Sequence, residues 1–268
     1  MRTVPRIALL LALFSFTTLA PGQQSTSSST QATQFLQESL AALVGNTSVT
    51  DVTVSGTARR IAGSDDETGT GVFKALSGTG SRMDLSFPSG PRIQVYSTSV
   101  DGPAGNWSGP DSVMHSVALH NLWTNHSWFF PAFTLASFLN SQNSSVVYVG
   151  QETKDNQAVI HLSASLISPE ASAKTAKFIR HMSQTEIYLD AVSLLPVAIS
   201  YNTHPDNNAA LDIPVEIRFS DYETQSGVQM PLHVQKFLNY SLVLDLQFQS
   251  TTFNSGLSAA NFTVAAGQ

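Results

Sequence analysis

Apolar residues recur along the chain with two different periods. Over residues 31–44, Phe35, Leu36, Leu40 and Leu43 fall on one stripe at helical spacing, which predicts an amphipathic helix. Ser29 or Thr30 is placed to cap its start, and Gly45 to end it. From Asp51 the period becomes two. In DVTVSGTARRIA (51–62), Val52, Val54 and Ala58 alternate with polar partners. The stretch GSDDETG (63–69) reads as a turn, answered by the strand GVFKAL; SRMDLSF and RIQVYS follow as strands split by the turn PSGP. This is an antiparallel meander, with no alternation of strand and helix.

From about Ser112 to Leu139 the spacing turns helical, with Pro131 as a break or a helix start. SVVYVGQ and AVIHLSAS return to strand. PEASAKTAKFIRHM (169–182) predicts another helix, with Pro169 in its first turn and Glu170 near its positive end. TEIYLD, PVAISYN, PVEIRFSDY, LHVQKFLNY and LVLDLQFQSTTF complete the strands, and Gly227 and Pro231 punctuate the gap ETQSGVQMP. About ten strands and three helical segments make a sheet-dominated, single α+β domain over residues 31–268.

The N-terminus changes the picture. MRTVPRIALLLALFSFTTLAPGQQ has Arg2 and Arg6, an apolar run over 7–16, then small Ala20 and Gly22. That is the plan of a secretory signal peptide, residues 1–22, cleaved after Gly22. The run is shorter than the ~20 residues of a spanning helix, and no later segment is long or apolar enough to span. QQSTSSST (23–30) reads as a disordered leader. Cys is absent, which removes thiol chemistry, disulfides and a lipid-anchor Cys at the cleavage site. The expectation is a soluble periplasmic or secreted protein. Net charge is -6 with no basic cluster beyond Arg59-Arg60, so nucleic acid is not an expected partner. Sequons at Asn46, Asn106, Asn125, Asn143, Asn239 and Asn261 arise readily by chance in a chain this rich in Asn, Ser and Thr.

Candidate chemistry concentrates in HNLWTNHSWFFPAF (120–133). His115, His120 and His126 are separated by five and six residues; five residues turn a helix about 140° past the starting face, so these side chains diverge. No Glu sits between them as in a zinc helix. No nucleophile elbow, phosphate loop or Gly-rich dinucleotide loop is present, and GSDDETG lacks the spacing of a calcium loop. No cofactor, metal or catalytic residue is expected; a metal-dependent hydrolase using the three histidines is the enzymatic alternative. Trp123, Trp128, Phe129, Phe130 and Phe133 have two readings. They are plain core, or they line an apolar cavity between a sheet and its cover and bind a ligand there.

The stretches FLQESLAALVGNTSVTDVTVSGTARRI, FSDYETQSGVQMPLHVQKF and TTFNSGLSAANFTV resemble the LolA/LolB-like family of periplasmic lipoprotein and lipid carriers. FLQESLAALVGNTSVTDVTVSGTARRI is similar to the family's leading helix, Gly break and first strand. FSDYETQSGVQMPLHVQKF is similar to its Asp-Tyr, short Gly turn and apolar-Pro strand, and TTFNSGLSAANFTV to its terminal strand with closing Asn, Gly-Leu and Phe. The resemblance implies a strongly curved antiparallel half-barrel with helices covering its concave face. It implies a non-enzymatic binder or carrier of a lipid, acyl chain or lipoprotein. The alternative within the same fold is an envelope protein-interaction or stress-sensor module with a plugged cleft. The aromatic middle departs from the carriers.

Overall fold

Alternating side chains need a partner strand on each side, and here every neighbouring pair is antiparallel. The computed structural model describes residues 27–124 and 127–264; the expected signal peptide, residues 23–26 of the leader, His126 and the sequon at Asn125 lie outside the described residues. The strands are β1 (Asp51–Ala62), β2 (Asp65–Leu76), β3 (Gly80–Phe87), β4 (Gly90–Ser99), β5 (Gly102–Ser108), β6 (Met114–Ser116), β7 (Ser144–Lys154), β8 (Gln157–Leu166), β9 (Thr185–Asp190), β10 (Pro196–Thr203), β11 (Ile213–Gln225), β12 (Val228–Leu238) and β13 (Ser241–Phe253). The helices are α1 (Ser28–Val44), α2 (Pro131–Asn140) and α3 (Ala173–Ser183). All 13 strands form one open sheet, in the order β6-β5-β4-β3-β2-β1-β13-β12-β11-β10-β9-β8-β7. The first and last strands meet at its centre, and β6 and β7 stand at opposite edges.

The sheet is strongly curved, a half-barrel with helices on its inner face. Register shifts between Ser55 and Gly56, Tyr148 and Gly150, Pro196 and Ala198, and Lys236 and Phe237 mark the bends. At Gly56 a Cβ would sit 2.0 Å from the Gln247 carbonyl oxygen, so only glycine lets β13 approach there. Val52, Val54 and Ala58 point inward as the alternation predicts, beside Phe73, Leu246 and Phe248 from the neighbouring strands. The outer face is polar, with cross-strand pairs such as Arg59–Asp66 and His233–Asp245.

Several boundaries differ from the sequence reading. α1 starts at Ser28, because Ser27 accepts the Thr30 amide at 3.2 Å; residues 28–30 of the expected leader are therefore helical. The turn expected over 63–69 shrinks to its first two residues, because Asp66 and Glu67 pair across the hairpin with Arg59 and Arg60. The described residues of 112–130 form no α-helix. They hold β6, a 3₁₀ turn at Leu119–Asn121 and an irregular run; only from Pro131, at the first helical position, does the expected helix form. β5 was not expected from GPAGNWS, whose small residues look like loop. Gly105 lies under the Tyr96 ring, where a Cβ would come within 2.6 Å of Cδ1. α3 begins at Ala173, capped by Ser172, instead of at Pro169.

The segment from β6 to β7 must run from one edge to the other, and it does so across the inner face. There Phe129 (1% exposed) packs on Phe73 at 5.2 Å between ring centres, and Phe130 on Phe253 at 5.9 Å. α1 adds Leu36 and Leu43 to the same core. The C-terminal tail is stitched to the start of β1. Asp51, 2% exposed, accepts the Ser255 amide and hydroxyl at 2.8 Å and the Gly256 amide at 3.1 Å. Burial pushes the Asp51 carboxyl up, but the Ser255 hydroxyl and three backbone amides outweigh it and hold it below the usual carboxylate range.

Two outcomes follow from this packing. Phe129→Ala lowers stability by about 3–5 kcal/mol, a melting-temperature loss on the order of 10 °C in thermal unfolding. Asp51→Asn lowers stability by about 1–3 kcal/mol at neutral pH. Because the folded carboxyl is held below its unfolded value, its contribution is present above about pH 4 and is lost as pH falls through the folded value. Denaturant titrations of wild type and Asp51→Asn therefore converge in acid.

Candidate functional site

The aromatic run divides its residues between three environments. Phe129 and Phe130 turn into the core between sheet and helices. Phe133 stacks edge-on against Phe130 at 4.8 Å and, with Trp123, borders a pocket of about 420 Å³ beside the β2–β3 turn. Trp123 also meets Phe178 of α3 edge-on at 5.9 Å. Trp128, 5% exposed, packs on Phe73 and Phe129 while its other side lines a much larger cleft. Of the five aromatic residues singled out in the sequence, Trp128 alone reaches that cleft.

The cleft occupies about 800 Å³ at one end of the concave face. Strands supply its floor, because inward positions on β1, β3, β4, β10, β12 and β13 converge there. Met83, Leu85, Tyr96, Val117, Trp128 and Leu244 form apolar wall. Arg60, Arg92 and Lys236 bring positive charge. Arg60 and Arg92 lie 3.2 and 3.3 Å from the same oxygen of Glu67, whose carboxyl is held low by the Ser89 hydroxyl and amide and by the two arginines, against burial. Lys236 Nζ stands 4.9 Å above the Trp128 ring. Burial lowers the Lys236 ammonium to about 8, and burial pushes the Tyr96 and Tyr201 hydroxyls well up, so both phenols stay neutral donors. None of these cleft residues besides Trp128 was singled out in the sequence. The inward register of Arg60 and Lys236 on alternating strands was the available signal.

One side of the cleft mouth is strapped. Asn121 donates its Nδ2 to the His204 carbonyl at 2.7 Å and accepts the His204 amide at 2.9 Å, and His120 Nε2 meets the Pro205 carbonyl at 3.1 Å. The 3₁₀ turn after β6 is thereby tied to the loop after β10, from the other half of the sheet.

The two expected histidines that are described, His115 and His120, do not share a centre. His115 stacks on Trp107 at 4.4 Å, and His120 serves the strap. Among the described residues the one group of donors able to hold a metal ion is His181, His204 and Asp212, whose ligand atoms lie within 4.8 Å of one another. Asp212 Oδ1 stands 3.0 Å from both imidazole Nε2 atoms. Burial pushes the enclosed His204 imidazole down against the pull of Asp212, so it is neutral and acts here as a clamp between α3 and the β10–β11 loop. A concavity of about 400 Å³ also opens near Glu186, Glu216 and Arg218, but its charges are already paired with one another and with Lys154 and His161.

No protein-family model matches the chain, and no curated protein matches it by sequence. Solved structures match its fold. A LolA superfamily protein of Nitrosomonas europaea superposes with a TM-score of 0.53 at 11% identity, covering 87% of this chain and 97% of that one. A domain assigned to an outer membrane lipoprotein-sorting protein of Vibrio parahaemolyticus gives 0.54 at 12% identity over 87% and 96%. A DUF1329 family protein of Desulfovibrio piger gives 0.56 at 12% identity over 89% and 98%. The open antiparallel sheet, its curvature and the helices laid on its inner face give this chain the LolA-like fold.

Proposed function

We propose that the protein is an exported, non-enzymatic binder or carrier of a lipid or acyl chain, working in the bacterial periplasm. The observation that carries this reading is the cleft of about 800 Å³ left between the concave sheet and its cover. A plugged interaction module would fill that face from end to end. Here one half is filled by Phe73, Phe129 and Phe130, and the other is lined but not filled. The volume lies within the range of sites that enclose a drug-sized or fatty ligand. The sorting and LolA superfamily neighbours favour a lipidic cargo over other apolar molecules. No helix among the described residues is long and apolar enough to cross a membrane. His115 and His120 are engaged in stacking and strapping and do not meet, which weighs against the hydrolase alternative.

Magnitudes set the expected affinity. Each methylene moved from water into the cleft contributes about 0.8 kcal/mol, so about ten give about 8 kcal/mol before association costs of at least ~4 kcal/mol. That net of about 4 kcal/mol corresponds to millimolar binding, and charge and hydrogen bonds in the lining supply about 4 kcal/mol more. The expected range is micromolar.

A fluorescent fatty-acyl probe titrated into the purified protein binds with micromolar affinity and is displaced by unlabelled lipid. Val117→Trp, which places a large ring at the cleft wall, removes probe binding while the melting temperature holds. Native mass spectrometry of protein from an envelope fraction shows a co-purified lipid. A wild type that binds neither probe nor lipid ends the carrier reading.

A further inference from the structure

Of the 13 Lys and Arg residues in a chain of net charge -6, three line the same cleft. Their placement follows from register. Arg60 on β1 is opposite Leu244 on β13, and Leu244 is opposite Lys236 on β12. The two cations therefore stand on one row, with their α-carbons about 10 Å apart across two strand spacings, and their side chains reach into the space above Leu244. Arg92 enters from β4 and shares Glu67 with Arg60, so two guanidiniums face one carboxylate. Among the described residues Lys236 has no such partner. Its one close charged-group contact is the face of the Trp128 ring, and burial alone accounts for its lowered ammonium. Asp206 is the acidic residue in the lining, and it is exposed.

An enclosed ammonium without a carboxylate is costly unless something negative joins it. A purely apolar cargo would be served better by Met or Leu at this position. The apolar wall and the cations occupy one continuous space, which suits a molecule with both characters. The neutral phenols of Tyr96 and Tyr201 add donors beside the cations, and donors favour an oxyanion.

We propose that the cleft is a two-part site for an anionic amphiphile. Lys236, flanked by Arg60 and Arg92, takes a phosphate-ester or carboxylate head, and Met83, Leu85, Val117 and Leu244 take the chain. The proposal rests on the carrier reading and refines it, since it names the head-group charge that the cargo must carry. It also gives the unpaired lysine a reason to be where it is.

The test is competition against a neutral apolar dye, N-phenyl-naphthylamine, bound to the purified full-length exported protein. The competitors share one alkyl chain and differ in head: laurate, lauryl phosphate, lauryl maltoside and lauryl trimethylammonium. At neutral pH laurate or lauryl phosphate displaces the dye at about tenfold lower concentration than the neutral and cationic heads. The stronger of the two identifies the source as a fatty acid or a phosphate ester. The preference fades as pH rises through about 8, where the free Lys236 loses its proton, and dye binding itself does not change. Lys236→Met keeps dye binding and abolishes the preference; Lys236→Arg retains it at high pH. A stability measurement gives an independent arm. The folded ammonium is below its unfolded value, so without ligand stability rises with pH between about 8 and 10.5, and saturating laurate flattens that rise. Should either variant fail to fold, the wild-type pH profiles still decide. If all four heads compete equally, or the preference survives in Lys236→Met, the head-group site is wrong and the carrier reading stands. If the wild type binds no dye and no amphiphile, both fall.

Discussion

Pairing of the first strand with the last governs this structure. Once β1 and β13 lie side by side at the centre of the sheet, the remaining strands meander outward on both sides and end at opposite edges. The link between β6 and β7 then has to cross the sheet. The outer face is polar and charged, so the crossing lies on the apolar concave face, and the residues that make it must be apolar themselves. That requirement accounts for the concentration of Trp and Phe in a chain otherwise rich in Ser, Thr, Asn and Gly. Ring–ring contacts from Phe73 to Phe129 and from Phe253 to Phe130 hold the crossing down.

A single crossing cannot cover so wide a sheet. α1 and α2 lie over the side of β7 and β12, where the core is solid. On the far side of Trp128, inward side chains of β3, β4, β10 and β13 line the cleft. Trp128 stands at the boundary, with core on one side and cleft on the other. The same ring that closes the core also receives the Lys236 ammonium. One residue thus serves both the core and the cleft wall, while Phe129 lies in the core.

Much of this was legible in the sequence. Alternation located most of the strands, and the resemblance to LolA-like carriers matched the fold that the superpositions show. The quoted motifs have physical counterparts. Asn254 adopts a left-handed backbone and binds Thr50 and Ser48, and the tight turn at Ser226 and Gly227 lies close to the end of α1 at Gly45. The crossing was misread as helix because apolar spacing reports burial, and an irregular segment laid on a sheet buries residues with no fixed period. β5 was missed because its strand character comes from backbone pairing with β4, over small residues that make room for a ring. The cations of the cleft were hidden for a different reason. A lysine in an alternating strand looks like any solvated residue until the register of three strands places it beside Leu244 and Arg60.

The hydrogen bonds between Asn121 and His204 have a consequence for timing. They join two regions of the sheet that are distant along the strand order, so the cleft mouth cannot widen without parting them. A slender chain end can thread past this clasp, whereas a branched or many-chained molecule must wait for it to open. On the carrier reading proposed above, loading of bulky cargo would be gated by a unimolecular step, its rate levelling off however much ligand is supplied, and the same gate would slow escape once the molecule is inside.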